Sequence, residues 1–131
     1  MSEQNKISYS ARAVSYLGDA VFELLAREYL VKKGYSEAGR LNSEAKKLVS
    51  ASAQAEIAKK LLPFLTEEEQ DFYKKGRNLG HSQTSKNIDP TEYRVATGLE
   101  SLFGSLYLLG RRERIENLFS IAVGCAGEEN Q

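Results

Sequence analysis

Apolar side chains recur about every three to four residues along nearly the whole chain, the period of an amphipathic helix rather than the alternation of a strand. Pro63 and Pro90 are the only prolines, and both fall at boundaries of this pattern, which predicts an all-α fold. The first helix is expected from about Ser10 to Lys33, with Val14, Leu17, Val21, Leu24 and Leu25 as its main stripe and Gly34 just past its end. A second, alanine-rich helix is expected over about Ser43 to Leu62, with a short helical piece near Ser36-Glu37-Ala38 ahead of it. Thr66-Glu67-Glu68-Glu69 reads as a capping box with acids on the positive helix end, opening a helix that stops near Lys75-Gly76. The stretch Gly76 to Ile88, GRNLGHSQTSKNI, has little apolar content and reads as a loop. Asp89-Pro90-Thr91-Glu92 then restarts a helix that runs to about Leu109 and halts at Gly110. A last helix spans about Arg111 to Gly124, with Ile115, Leu118, Phe119 and Ala122 facing inward, and the final Gly-Glu-Glu-Asn-Gln reads as frayed.

At 131 residues the chain is expected to be one domain over residues 1–131, with an ordered core of about 8–126. Hydrophobic residues at 41% and charged residues at 27% make the mixture of a globular domain rather than a disordered one. Eighteen basic side chains balance eighteen acidic ones, so any nucleic-acid surface must arise from the placement of charge, not its sum. The single cysteine, Cys125, cannot form an internal disulfide and reads as an inert thiol. The N-terminus lacks a signal-peptide core, and no apolar run approaches the roughly 20 residues of a membrane span. A cytoplasmic protein without a membrane partner is expected.

Two carboxylates break the apolar pattern. In SYLGDAVFE, Asp19 lies on a helix that is apolar on both sides, so it is expected in a crevice between that helix and another surface. Glu100 is the only charged residue in VATGLESLFGSLYLLG, where Gly98, Ser101, Gly104 and Ser105 leave room for another helix to approach closely. Either carboxylate can be structural: Asp19 bonded to a nearby hydroxyl or amide, Glu100 paired with Arg94, Arg12 or Arg27. Alternatively the two meet around a hard cation such as Mg²⁺, which takes few protein oxygens and fills its shell with water and phosphate. Their distance in the chain leaves that choice open.

Leu17-Gly18-Asp19-Ala20-Val21 resembles the signature of the ribonuclease III catalytic domain, and Glu100-Ser101-Leu102-Phe103-Gly104-Ser105 is similar to its second acidic helix. A closer resemblance is to the Mini-ribonuclease III branch, through Gly18-Asp19-Ala20-Val21, Ala51-Ser52-Ala53-Gln54-Ala55, Gly76-Arg77-Asn78 and Tyr93-Arg94-x-Ala96-Thr97-Gly98. The chain departs from full-length ribonuclease III at Arg12 and Ser15, where upstream glutamates stand, and at Thr97, where an aspartate stands. One or two metal ions per site are therefore both open.

The resemblance implies a single all-α ribonuclease III-type domain that cleaves double-stranded RNA with Mg²⁺. Asp19 and Glu100 would be its catalytic, metal-holding residues, with Glu23, Tyr93, Arg94 and Thr97 around them. It also implies a homodimer and a role in maturing the ends of precursor large-subunit (23S) ribosomal RNA, with ribosomal proteins as further candidate partners. No separate double-stranded-RNA-binding domain is expected, so the duplex must be gripped by the catalytic domain itself. Between Phe72 and Ile88 there is no acid. Lys74, Lys75, Arg77, Asn78, His81, Lys86 and Asn87 offer a composition suited to phosphates and 2′-hydroxyls. The bland alternative there is a solvated loop. His81 has no second His or Cys at partner spacing and reads as a phosphate contact or an exposed ring, not a metal ligand. The competing functions are a catalytically silent RNA- or ribosome-binding helical dimer and a purely structural dimerisation domain.

Overall fold

In the computed structural model, which describes residues 8–79 and 89–129, the chain forms six α-helices: α1 (Ala11–Lys32), α2 (Ala38–Val49), α3 (Ala51–Leu61), α4 (Glu67–Arg77), α5 (Pro90–Leu108) and α6 (Arg112–Glu129). A 3₁₀ turn, Leu62–Phe64, carries Pro63 between α3 and α4. No strand occurs among the described residues. The helix starts follow local chemistry. Ser10 Oγ accepts from the Ala13 amide at 3.1 Å, and Asp89 Oδ1 accepts from the Thr91 amide at 3.2 Å. Thr66 and Glu69 form the expected reciprocal capping box, at 3.1 and 2.9 Å. Gly34 and Gly110 end α1 and α5 with φ of 103° and 75°, where a side chain would be strained.

The expected helix from Ser43 to Leu62 is instead two helices, α2 and α3, and α2 begins as early as Ala38. Ser50 makes the break. Its backbone is extended, with ψ 159°, and its hydroxyl accepts from the Ala53 amide at 3.2 Å, so it ends one helix and caps the next. Two other boundaries shift. α4 runs through Gly76 to Arg77, and α6 continues to Glu129 past the expected fraying.

α5 is the centre of the fold: every residue from Ala96 to Leu106 except Glu100 is buried. Its small residues serve as seats for two neighbours. On one side α1 lies so close that a Cβ on Gly18 would strike the Glu100 carbonyl oxygen, and one on Gly104 would strike the Val14 carbonyl oxygen. On the other side Gly76 of α4 rests against Ser101, 2.5 Å from where its Cβ would stand, and Gly98 faces the Tyr73 ring in the same way at 2.6 Å. Ser101 Oγ donates to the Phe72 carbonyl at 2.9 Å and ties α5 to α4.

Because Gly18 fixes the contact line, the buried seam of α1 is Val14, Ser15, Gly18, Val21, Phe22, Ala26 and Leu30. The expected stripe is correct at Val14 and Val21, but Leu24 is turned outward and 67% exposed. Phe22 meets Phe103 and Phe119 edge-on, with ring centroids 5.4 and 5.6 Å apart, which joins α1, α5 and α6 in one aromatic cluster. Ile115, Leu118, Phe119 and Ala122 of α6 are buried as expected. Arg114 clamps α6 to α4 through both oxygens of Glu69, at 2.8 and 2.9 Å.

The α1–α5 contact predicts a sharp contrast between two glycines. Gly18→Ala places a methyl group against a backbone carbonyl that no rotamer change can move, which should cost about 3 kcal/mol and lower Tm by about 10 °C. Gly39→Ala in α2 meets nothing within 4 Å and should raise stability by about 0.5–1 kcal/mol. Thermal melts of the two variants check this. Equal Tm values would show that the helices do not touch at Gly18.

Candidate active site

The residue after Gly18 is Asp19, and the backbone carbonyl that Gly18 admits belongs to Glu100. Close approach of the two main chains therefore brings these two carboxylates, far apart in sequence, into hydrogen-bonding contact. They share a cleft of about 360 Å³ between α1, α3 and α5. Asp19 is exposed at its rim and Glu100 is half-buried in its wall. Burial pushes the Glu100 carboxyl up to about 8, and the Asp19 charge and hydrogen bond push in the same direction. The arginines that could have neutralised Glu100 do not do so. Arg27 instead pairs with Glu23 at 2.9 Å along the exposed side of α1, and among the described residues no arginine forms an ion pair with Glu100.

The Ser15 and Thr97 hydroxyls beside the pair are both engaged by main-chain carbonyls, the first across α1 and α5 and the second within α5. Ser15 Oγ donates to the Thr97 carbonyl at 3.0 Å, and Thr97 Oγ1 donates to the Tyr93 carbonyl at 2.8 Å. Arg12, Tyr16, Gln54 and Tyr93 also line the cleft. Tyr93 and Thr97 thus stand where the sequence reading puts them, beside the carboxylates. Glu23 faces a different groove, between α1 and α2, and Arg94 is exposed outside the cleft lining.

Of the expected RNA contacts, Lys74 and Lys75 are exposed on α4. Arg77 stacks on the Tyr73 ring, 5.8 Å from its centroid, and its Nε donates to Asn78 Oδ1 at 3.3 Å. Leu79, just past α4, reaches the cleft lining, so this basic helix end borders the carboxylate pair. His81, Lys86 and Asn87 lie outside the described residues, as does the side chain of Cys125. The sequence reading missed Gln54 as a cleft residue. The available signal was a long polar amide inside the alanine-rich run from Ala51 to Ala55.

Among the described residues no group of three or more His, Cys, Asp or Glu side chains gathers for a metal. The donor set that exists, one half-buried carboxyl and one exposed carboxylate beside open volume, nevertheless fits a hard cation that keeps water and phosphate oxygens as its other ligands. A cation there would also relieve the like-charge repulsion felt by Glu100. Without one, Glu100 should make stability depend on pH. Its folded-state value is raised, so its contribution is fully present below about 4.5 and is lost as pH rises through about 8. Glu100→Gln stays neutral throughout. In EDTA the variant should match wild type near pH 5 and exceed it at pH 9 by about 1–3 kcal/mol, less than full conversion of the shift because the cleft admits water. Melts across this pH range check it. A gap that does not change with pH would contradict the raised Glu100 carboxyl.

The ribonuclease III domain family matches residues 12–111, which include both carboxylates and the helix crossing between them. A Mini-ribonuclease 3 from Enterococcus faecalis is 44% identical over 121 residues, spanning 91% of this chain and 92% of that protein. A second, from Symbiobacterium thermophilum, is 41% identical and spans 90% and 91%. The crystal structure of a Fusobacterium nucleatum protein superposes with a TM-score of 0.79 at 34% identity, covering 92% of this chain and 95% of that one. Identity at this level across almost the full length of such relatives places the chain in the ribonuclease III family, in its Mini-ribonuclease III branch, and makes it an endoribonuclease.

Proposed function

We propose that this endoribonuclease is Mg²⁺-dependent, cleaves double-stranded RNA as a homodimer, and matures the ends of precursor large-subunit (23S) ribosomal RNA. The observation that carries the chemistry is the Asp19–Glu100 pair in its cleft. Asp19, at the open rim, offers its carboxylate to a cation and to the substrate side. Glu100, in the wall, completes the pair from α5. Bound there, Mg²⁺ would supply the charge that activates water for in-line attack and offsets the charge developing on the phosphate. Glu23, Tyr93, Arg94 and Thr97 keep structural or orienting roles in this reading.

The basic end of α4 supports a duplex substrate. Lys74, Lys75 and the Tyr73-stacked Arg77 crowd the last turn of α4, and Leu79 just past that end lines the cleft, so cations gathered there suit phosphates rather than base edges. His81, Lys86 and Asn87 continue the same segment in sequence. Support for a homodimer comes from apolar surface left uncovered along α1 and at the end of α5: Tyr16 is 83% exposed, Leu24 67% and Tyr107 39%. The ribosomal substrate, and ribosomal proteins as partners on it, rest on the resemblance to the Mini-ribonuclease III branch. No helix of the described residues is long and apolar enough to cross a membrane.

Asp19→Asn tests the assignment. The change keeps shape and hydrogen bonding but removes the charge that would hold the cation. Cleavage of a long RNA duplex in Mg²⁺ should fall by about 10³-fold or more, while Tm is unchanged or higher because a repelling charge has gone. EDTA should abolish cleavage by wild type. Cleavage by purified Asp19→Asn at the wild-type rate would remove Asp19 from the metal site.

A further inference from the structure

Gln54 is among the most buried polar side chains of the fold, at 2% exposure, and it lies on α3 in the wall of the cleft that holds Asp19 and Glu100. Its side-chain amide makes no hydrogen bond to any described residue. Yet among the described residues no buried side-chain nitrogen or oxygen is sealed from solvent without a partner. The Gln54 amide must therefore open onto the cleft. A buried amide with no protein partner is a cost that an apolar residue of similar size would avoid. Nothing in the packing of α3 requires it, since Ala55, Ile57, Ala58 and Leu61 already supply the buried face of that helix.

The other buried hydroxyls of the cleft are already engaged, Ser15 with the Thr97 carbonyl and Thr97 with the Tyr93 carbonyl. Asp19 and Glu100, when ionised, can only accept. A phosphodiester entering this cleft brings anionic oxygens and needs a donor that does not itself neutralise the carboxylate pair. A lysine or arginine at this depth would compete with a cation for Asp19 and Glu100. A third carboxylate would repel the phosphate. A neutral amide avoids both conflicts, and Ser50 capping the start of α3 with Leu61 buried at its far end fixes its position beforehand.

We propose that Gln54 is a substrate-contacting residue whose Nε2 donates to a non-bridging oxygen of the RNA phosphate held in the Asp19/Glu100 cleft, an inference that rests on the nuclease reading above. Gln54→Leu keeps the volume and deletes the donor. Single-turnover cleavage of an RNA duplex in Mg²⁺ should slow by about 10²-fold. Duplex affinity should stay within about threefold of wild type, and Tm should be equal or higher. Gln54→Glu, an acceptor in place of a donor, should be at least as slow. A Gln54→Leu or Gln54→Glu protein that cleaves at the wild-type rate would overturn the contact.

A second readout does not depend on cleavage. In ¹⁵N-labelled Asp19→Asn protein with Mg²⁺, the side-chain amide resonances of Gln54, assigned by their absence from the same protein carrying Gln54→Glu, should move on addition of duplex RNA. Unmoved resonances at saturating duplex would overturn the proposal. If wild type leaves duplex RNA intact while these resonances still move, the nuclease reading fails and the phosphate contact stands.

Discussion

Everything distinctive in this fold depends on α1 and α5 touching main chain to main chain. Gly18 admits the Glu100 carbonyl, and Gly104 admits the Val14 carbonyl, so the two helix axes approach more closely than side chains would allow. The next residue along α1 is then held against the side chain of Glu100. A methyl group at either glycine would part the helices and the carboxylates with them. The glycine of Leu-Gly-Asp is thus as much part of the site as the aspartate, because it sets the distance across which a cation could be shared.

That geometry leaves the protein with a tension. Burial disfavours the charged form of Glu100 and the neighbouring Asp19 carboxylate adds to that cost, so the arrangement opposes folding unless something else holds it. The restraint comes from the layers beneath. Phe22, one turn beyond Gly18, locks into Phe103 and Phe119, while the Ser15–Thr97 and Ser101–Phe72 hydrogen bonds fix α5 against both neighbours. Ser15 and Thr97, which line the cleft beside the pair, are neutral and add no further negative charge to it. The strain that remains is concentrated where a divalent cation would relieve it, a common arrangement at functional sites.

The features readable from sequence were those with local causes. Caps at Ser10, Thr66 and Asp89 and the glycines at 34 and 110 depend on neighbours a few residues away, and the helices they bound stand where expected. Small residues at 98, 101, 104 and 105 announced close packing on α5, though not which helices would use it. The Ser50 break was hidden because a serine inside an alanine-rich run is compatible with either a continuous helix or a cap. Leu24 was misplaced because periodicity ranks apolar bulk, whereas the seam of α1 is set by the contact at Gly18. Whether Asp19 and Glu100 met was beyond local reasoning, since that depends on the tertiary crossing. Gln54 was missed for the same reason: its partner-free amide is visible only once the cleft exists.

The central claim is that the Gly18 crossing joins Asp19 and Glu100 into one cation-responsive pair. Carboxyl ¹³C NMR of Glu100, followed from pH 4 to 10, tests it directly. Without metal, Glu100 should titrate near 8, and saturating Mg²⁺ should move that titration down toward the ordinary carboxylate range. A Glu100 that titrates near 4.5 both with and without Mg²⁺ would mean that the two carboxylates neither crowd each other nor share a cation.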